Sequence, residues 1–600
     1  MNRFSIVKVG FMLVAPLLLS GCIDDDYDLS DIDGTVELQV KDLTIPMNLD
    51  DIKLTNIIEI SENGQIKIVD DKYVIIEDGE FDTDEIEVPM VEIAAPVVEP
   101  TITKLELNAP EIPNIPNIPN IPNIPMADLG IDISELHYTL ESNVSEFEYV
   151  THSVSDYIMS IDKIGTDLKV EMIFDLVGLD IVKSFSLRNF ELQLPKGLTL
   201  TLTTEKGVYD PETGILSIED GPHAGHSLDF IMMVSEIDIE KSGITYDHDT
   251  HTIEFKDHIG IHSGEIVVTD DDVEGTILDM LINGTFPQTV NLKSEYLLSN
   301  ILVKTFTGDI RYTLDAMDIA PIKINNLPDV LAQDETNIVL ANPQVYVSLN
   351  NPLAKYGVYA QSGLAITSQW PNASKTASLD NGVFTISGTE ANPLNVFCMS
   401  PTLPENYYSG YENAEHIPFS GLAEVLSGDG LPSTLKVALE NPNVPVQHVE
   451  DFVLGEKLGA VQGTYTFYTP LELGVNSRVV YSSTEDGWND EEVDAITIKL
   501  MEVSALVTNN LPLDIEITGY PIDVNGNQID DVEIEGMSVS ANAVDQPVNI
   551  RIAGNITHLD GIYFRAVAEA DENSSALKPS AHIQLKDLRV KISGNYIDEL

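Results

Sequence analysis

The chain has 600 residues and carries 98 acidic against 31 basic side chains, a net charge of −67. Such a surface repels nucleic acid and anionic lipid, which excludes DNA and RNA binding as a function class. A hydrophobic content of 43% is enough for packed cores, and the length gives a prior of about four domains.

The predicted elements begin with a secretory leader over residues 1–21. Arg3 and Lys8 give it a positive start, Ile6 to Leu19 form an apolar run too short to span a bilayer, and small residues precede Cys22. Loss of its two positive charges leaves the mature chain near −69. The stretch Leu19-Ser20-Gly21-Cys22 resembles the lipobox of bacterial lipoproteins. The resemblance implies that Cys22 becomes the acylated first residue; the alternative is an ordinary signal peptide followed by a chance cysteine. Residues 22–35 form an acidic tether, with six aspartates among the ten residues from 24 to 33. It sits where lipoproteins of the Bacteroidetes carry an acidic surface-export signal. That resemblance implies an outer-membrane lipoprotein facing outward, partnered with the membrane through its acylated cysteine. The second cysteine, Cys398, lies in Val396-Phe397-Cys398-Met399 and is expected to be a buried, inert thiol.

From residue 36 the apolar period becomes two. Val36-Glu37-Leu38-Gln39-Val40 alternates as a half-buried strand does, and Glu62-Asn63-Gly64-Gln65 signals a hairpin. Residues 36–108 are expected to form a small β module. Residues 109–126 repeat Ile-Pro-Asn, which fits neither a helix nor an inner strand. In polyproline II form, at roughly 3.1 Å per residue, the repeat is a spacer on the order of 40 Å long. A stripe of isoleucines packed on a neighbouring domain, or a docking motif, are the alternatives.

Residues 127–320 read as a β-sandwich region. Within it Tyr209-Asp210-Pro211-Glu212-Thr213-Gly214-Ile215 aligns with Tyr246-Asp247-His248-Asp249-Thr250-His251-Thr252, each an aspartate-led turn feeding a strand. Helices are expected only at Thr276 to Leu281 and Glu295 to Val303. Residues 321–430 and 431–600 read as two more sandwich-like modules. A strand-plus-turn pattern recurs at Ile322–Pro328, Val345–Pro352, Leu435–Pro442 and Ala505–Leu513, where asparagine tolerates the turn and proline stops the ladder. The second and third copies resemble the Asn-Pro strand of late-embryogenesis-abundant type 2 domains. That resemblance implies β-sandwich modules and no activity. Asn525-Gly526 signals a hairpin between Ile522 and Ile529, and Val590-Lys591-Ile592 is expected to lie in a sheet.

Few residues invite chemistry. Six of the twelve histidines fall between His223 and His262, with Asp247 and Asp249 among them. Imidazole and carboxylate suit zinc or copper, yet residues three apart on a strand face opposite ways, so no metal site is assigned. Asp270-Asp271-Asp272 begins like a calcium loop, but Leu281 stands where the bidentate glutamate belongs. Two loops offer aromatics for a sugar ring or a protein partner: Tyr407, Tyr408 and Tyr411 in one, Trp488 in the other. The alternative for the tyrosines is that they cover a sheet edge. No nucleophile elbow, zinc-helix motif or phosphate loop is present.

The expected protein is all-β, several β-sandwich-like modules in an elongated multi-domain chain. It is expected to be a non-catalytic surface lipoprotein with a structural or adhesive role, with no catalytic residue and no cofactor. The alternative is a glycan-binding lipoprotein of a nutrient-capture system.

Overall fold

The computed structural model describes residues 35–46, 52–58, 60, 64–82, 85–108, 133–313, 317–324, 331, 335–487, 489, 496–571 and 575–599. The leader, Cys22, residues 22–34 of the tether, the Ile-Pro-Asn repeat and Trp488 lie outside them. Alternating sequences become strands throughout, and the helices are short turns of four to six residues such as Ile277–Ile282. Among the described residues no helix is long and apolar enough to cross a membrane.

Three sandwich-like bodies follow along the chain, each closed by strands from distant sequence. In the first, strands Lys163–Val177, Ser227–Asp238 and Thr289–Leu298 pack over Ser184–Gln193 and Thr252–Thr269. Rings meet across the two sheets: Phe190 stacks on Phe230 at 5.5 Å and meets Phe174 edge-on at 6.2 Å. In the middle body, Gln344–Asn350, Leu394–Ser400 and Gln462–Pro470 pack against Ala360–Gln369 and Phe384–Ile386, with Phe384 edge-on to Phe397 at 5.0 Å. The last body sets Ile496–Asn509, Gln546–Ile556 and His582–Glu599 over Arg478–Glu485, Asp514–Ile522 and Gly561–Glu569.

The strand Thr434–Val453 joins two of these bodies. Its early half pairs with Met317–Lys323 and Ala360–Gln369 and sends Leu435, Val437 and Leu439 into the middle core. Its late half pairs with Thr305–Thr313 and sends Val444, Val449 and Phe452 into the first. This strand begins after the boundary expected at 430, yet it belongs to the middle and first bodies, so the expected division into 321–430 and 431–600 does not follow the packing.

The residues expected to form one module over 36–108 are shared among all three bodies instead. Thr35–Pro46 lies along His582–Glu599 of the last body, from Thr35 opposite Glu599 to Pro46 opposite Arg589, and Lys53 lies opposite His582. Lys72–Asp82 lies along Gln462–Pro470 of the middle body. Glu87 then bridges to Lys457, and Thr101–Asn108 pairs with Thr289–Leu298 of the first. An outgoing limb from 35 to 88 is therefore paired, body by body, with a returning limb that ends near 599. Gly79 and Gly463 pin its register. A Cβ at Gly79 would meet the Tyr465 ring at 2.3 Å, and one at Gly463 the Phe81 ring at 2.3 Å, and these same residues are cross-strand partners. The described residues nearest the Ile-Pro-Asn stretch are paired, with Asn108 opposite His137, while the spacer expected over 109–126 lies outside the described residues.

The recurrent strand-plus-turn pattern divides differently from the sequence reading. In the second copy Asn351 is buried; its Oδ1 accepts the Leu353 N–H at 3.0 Å and its Nδ2 donates to the carbonyls of Val358 and Ser387. The fourth copy repeats this at Asn509, whose Oδ1 accepts Leu511 N–H while Nδ2 donates to Leu513 and Ser540 carbonyls. In the third copy the strand runs through Pro442 with a register slip, and Asn441 turns to φ 47°. Thr276 caps the expected helix, accepting Asp279 N–H. Glu295 to Val303 is not helical: Val290, Leu292, Ser294 and Tyr296 are buried in alternation, and the segment is two strands.

Candidate functional site

Period two decides which face of the middle sheet each side chain meets. On Gln344–Asn350, Val345, Val347 and Leu349 enter the core between the sheets, so Tyr346 emerges on the other face. Tyr468, Cys398, Val74 and Ile76 join it there from neighbouring strands. The loop from Ser400 to Ala414 crosses this face and delivers Tyr407, Tyr408 and Tyr411 onto it, each half-buried.

The rings interlock. Tyr408 stacks on Tyr468 at 4.7 Å, Tyr411 lies over Tyr346 at 4.6 Å, and Tyr408 and Tyr411 face each other at 6.2 Å. Tyr407 meets only the edge of Tyr346, at 6.5 Å and 65°. The loop is also hydrogen-bonded down. Tyr408 N–H donates to Tyr346 Oη at 2.9 Å, and that hydroxyl donates to Gln344 Oε1 at 2.6 Å. Thr466 donates its single hydroxyl proton to Asp78 at 2.7 Å, so Tyr411 is the donor in its 2.9 Å contact with Thr466. Burial pushes the Tyr346 hydroxyl well above the ordinary tyrosine range and raises that of Tyr468. Sequence reasoning placed three tyrosines in an open loop. It missed Tyr346 and Tyr468, whose signal is an aromatic at the odd parity of a strand already buried on its even face.

Beneath the loop Cys398 is fully buried, and burial pushes its thiol up to about 11. Ser400 Oγ lies 3.0 Å from His416 Nε2, a spacing that a nucleophile and its base share. Yet Ser400 donates its proton to the Thr402 carbonyl at 2.8 Å, so His416 must donate to Ser400. That is the tautomer opposite to a general base, and the pair serves as a strut.

The histidine-rich region is part of the first body. Asp210 lies opposite Ile215 and Asp247 opposite Thr252, so both aspartate-led turns close hairpins of the same length. The left-handed position is Gly214 in one and His251 in the other. Backbone and threonine donors around each turn hold the carboxyls of Asp210 and Asp247 below the usual carboxylate range. Ligand atoms of Asp247, His248 and Asp249 lie within 4.8 Å of one another, all three exposed. His226 is tied to the Val182 carbonyl at 2.6 Å, His223 lies flat against Phe185, and His258 and His262 face Glu146 and Glu191. The structure does not bring these histidines to one point.

Asp272 is a buried cap. Its carboxylate accepts Thr269 N–H and Oγ1–H, both at 2.8 Å, and the Ser184 hydroxyl. In the Asn525-Gly526 hairpin, Asp523 accepts the N–H groups of Asn525 and Asn527 at 2.9 Å, and Gly526 takes φ 76°.

Trp488 lies outside the described residues, but its surroundings in the chain are fixed. Asn489 N–H donates to Asp560 at 3.0 Å, and Glu485 lies opposite Ile562. By register the ends of Arg478–Glu485, Asp514–Ile522 and Gln546–Ile556 fall at the edge of the last body that carries Thr35 and Glu599. A cleft opens there among Asn489, Asp523, Gln528, Ile529 and Thr557.

No family model and no curated protein matches the chain. Among solved structures, a protein described as secreted from Parabacteroides distasonis is similar over 48% of this chain and 89% of its own, at 14% identity and a TM-score of 0.35. The structure of Broad Bean Stain Virus is similar over 50% of this chain and 90% of its own, at 9% identity and a TM-score of 0.13.

Proposed function

We propose that the chain is a non-catalytic, surface-displayed outer-membrane lipoprotein with a structural or adhesive role. The supporting observation is the pairing of Thr35–Pro46 with the strand His582–Glu599. Thr35, a short acidic stretch after Cys22 in the sequence, lies on the last body, and the outgoing limb then leads through the middle body to the first. On this reading the last body is nearest the membrane and the first is offered outward. The strongest side-chain clusters, at Tyr346, Ser400–His416 and Asp272, are engaged in holding loops down. The anchor is tested by Cys22→Ala, which abolishes fatty-acid labelling and releases the protein or leaves it unprocessed. Labelled, membrane-bound Cys22→Ala protein overturns the reading.

The second reading is glycan capture, favoured by Tyr407. It is the one member of its loop held by an edge contact alone, so its ring is the one free to stack on a sugar. A glycan array with the soluble chain and with Tyr407→Ala decides it: binding lost in the variant supports capture, and no binding by the parent removes it.

A further inference from the structure

The pairing of the outgoing and returning limbs has a mechanical meaning. Ten partner positions join Thr35–Pro46 to the far strand, and nine join the outgoing limb to Gln462–Pro470 in the middle body. Between them the limbs stay in touch: Leu54 N–H donates to Ala581, Tyr73 N–H to Leu577, and Leu471 N–H to Tyr73. Beyond them Gly455 N–H donates to Val88. The outgoing limb thus meets the returning limb in two strand pairs, at Thr35–Pro46 and at Lys72–Asp82, with a helical turn at Leu54–Ile57 and the hairpin arm Ile66–Val69 between them.

We infer that the paired limbs form a clamp that carries tension between the membrane anchor and the outermost body. The place where force enters rests on the lipid anchor proposed above; the clamp itself does not. Force applied at Thr35 and resisted in the first body acts along the outgoing strands. Every lateral hydrogen bond of a pair is then loaded at once, and each paired strand is already extended, so the strand itself gives no length before its pair slides. Sliding is blocked at Gly79 and Gly463, because each is seated under an aromatic ring of the opposite limb. Force applied across Thr35 and Glu599 acts differently. It opens the pair from its common end, one bond at a time.

Single-molecule pulling on the unacylated chain starting at Cys22 separates the two geometries. The thiol of Cys22 is one handle, and buried Cys398 stays silent while the protein is folded. The second handle is Asp249→Cys, on an exposed turn of the first body, or a cysteine added after Leu600. The expected first rupture between 22 and 249 needs a force at least roughly twofold higher than between 22 and 600, since forced unfolding follows the barrier along the pulled direction. Equal forces, or any part yielding at low force in the 22–249 geometry, overturn the clamp. Neither result depends on lipid, so failure of Cys22 acylation in cells is read separately.

Discussion

Tyr408 lies on Tyr468, ring centroids 4.7 Å apart and planes 27° from parallel. A loop aromatic that shares a face with a buried neighbour is part of the packing of that sheet. Tyr408→Ala is therefore expected to lower the local stability of the middle body by about 2 kcal/mol, the stack together with its buried area. Hydrogen exchange at Gln344–Asn350 and Gln462–Pro470 reads the effect. Tyr407→Ala is expected to leave those amides protected, and equal deprotection by both variants would contradict the arrangement.

Asn351 and Asn509 predict a graded result. Asn351→Ala removes the side-chain partner of the buried Leu353 N–H and of the buried Val358 carbonyl, a loss of roughly 2–3 kcal/mol. Asn351→Asp is expected to be worse, since a carboxylate replaces a donor aimed at carbonyl oxygens. The same order holds at Asn509. Asn441, on a strand that passes through its proline, tolerates Gly with little change. Denaturant midpoints of the variants check the series.

Asp272 and its neighbour Asp271 should separate cleanly. Asp272→Ala removes an acceptor of three hydrogen bonds and costs about 2–3 kcal/mol. Asp271 is exposed, and Asp271→Ala stays within about 0.5 kcal/mol of the parent. Thermal unfolding with and without calcium completes the test: a cap gives the same difference in both, whereas a calcium loop makes the Asp272→Ala loss calcium-dependent.

Cys398 should be unreactive in the native protein. With its thiol pushed up to about 11 by burial, the thiolate is scarce at pH 8 and inaccessible. A colorimetric disulfide reagent is expected to find no Cys398 thiol until denaturant is added, then one per chain. Rapid labelling before denaturation contradicts this.

Local signals in the sequence carried the fold class and many turns. Period-two alternation marked the strands, and the matched turns at Asp210 and Asp247 form equivalent hairpins. Where alternation and helical spacing overlapped, at Glu295 to Val303, burial of Ser294 and Tyr296 in one sheet decided for strand. Partners were not legible. An alternating run such as Val36–Val40 states which residues share a face and says nothing of which strand lies beside them. So the pairing of Thr35 with Glu599, the sharing of 36–108 among three bodies and the pairing of Asn108 with His137 all stayed hidden. The tyrosine loop was half legible. Its composition marked a surface, but the sheet face beneath it is set by Tyr346 and Tyr468, far off in sequence.

The opposition of Thr35 and Glu599 also sets a schedule. Thr35–Pro46 is made early in synthesis, and its partner strand follows almost the whole chain later. Until then the last body has no neighbour for its first strand; the middle body waits a shorter time, until Gln462–Pro470 is made and can lie beside Lys72–Asp82. Such long-range pairing forms slowly and leaves strand edges open in the interval. The segment nearest the proposed acyl group is therefore the one whose folding waits longest, and a chain broken off early by a faulty message carries an open strand edge beside that group. Completion of synthesis is written into the fold at the point where the export machinery would first take hold of it.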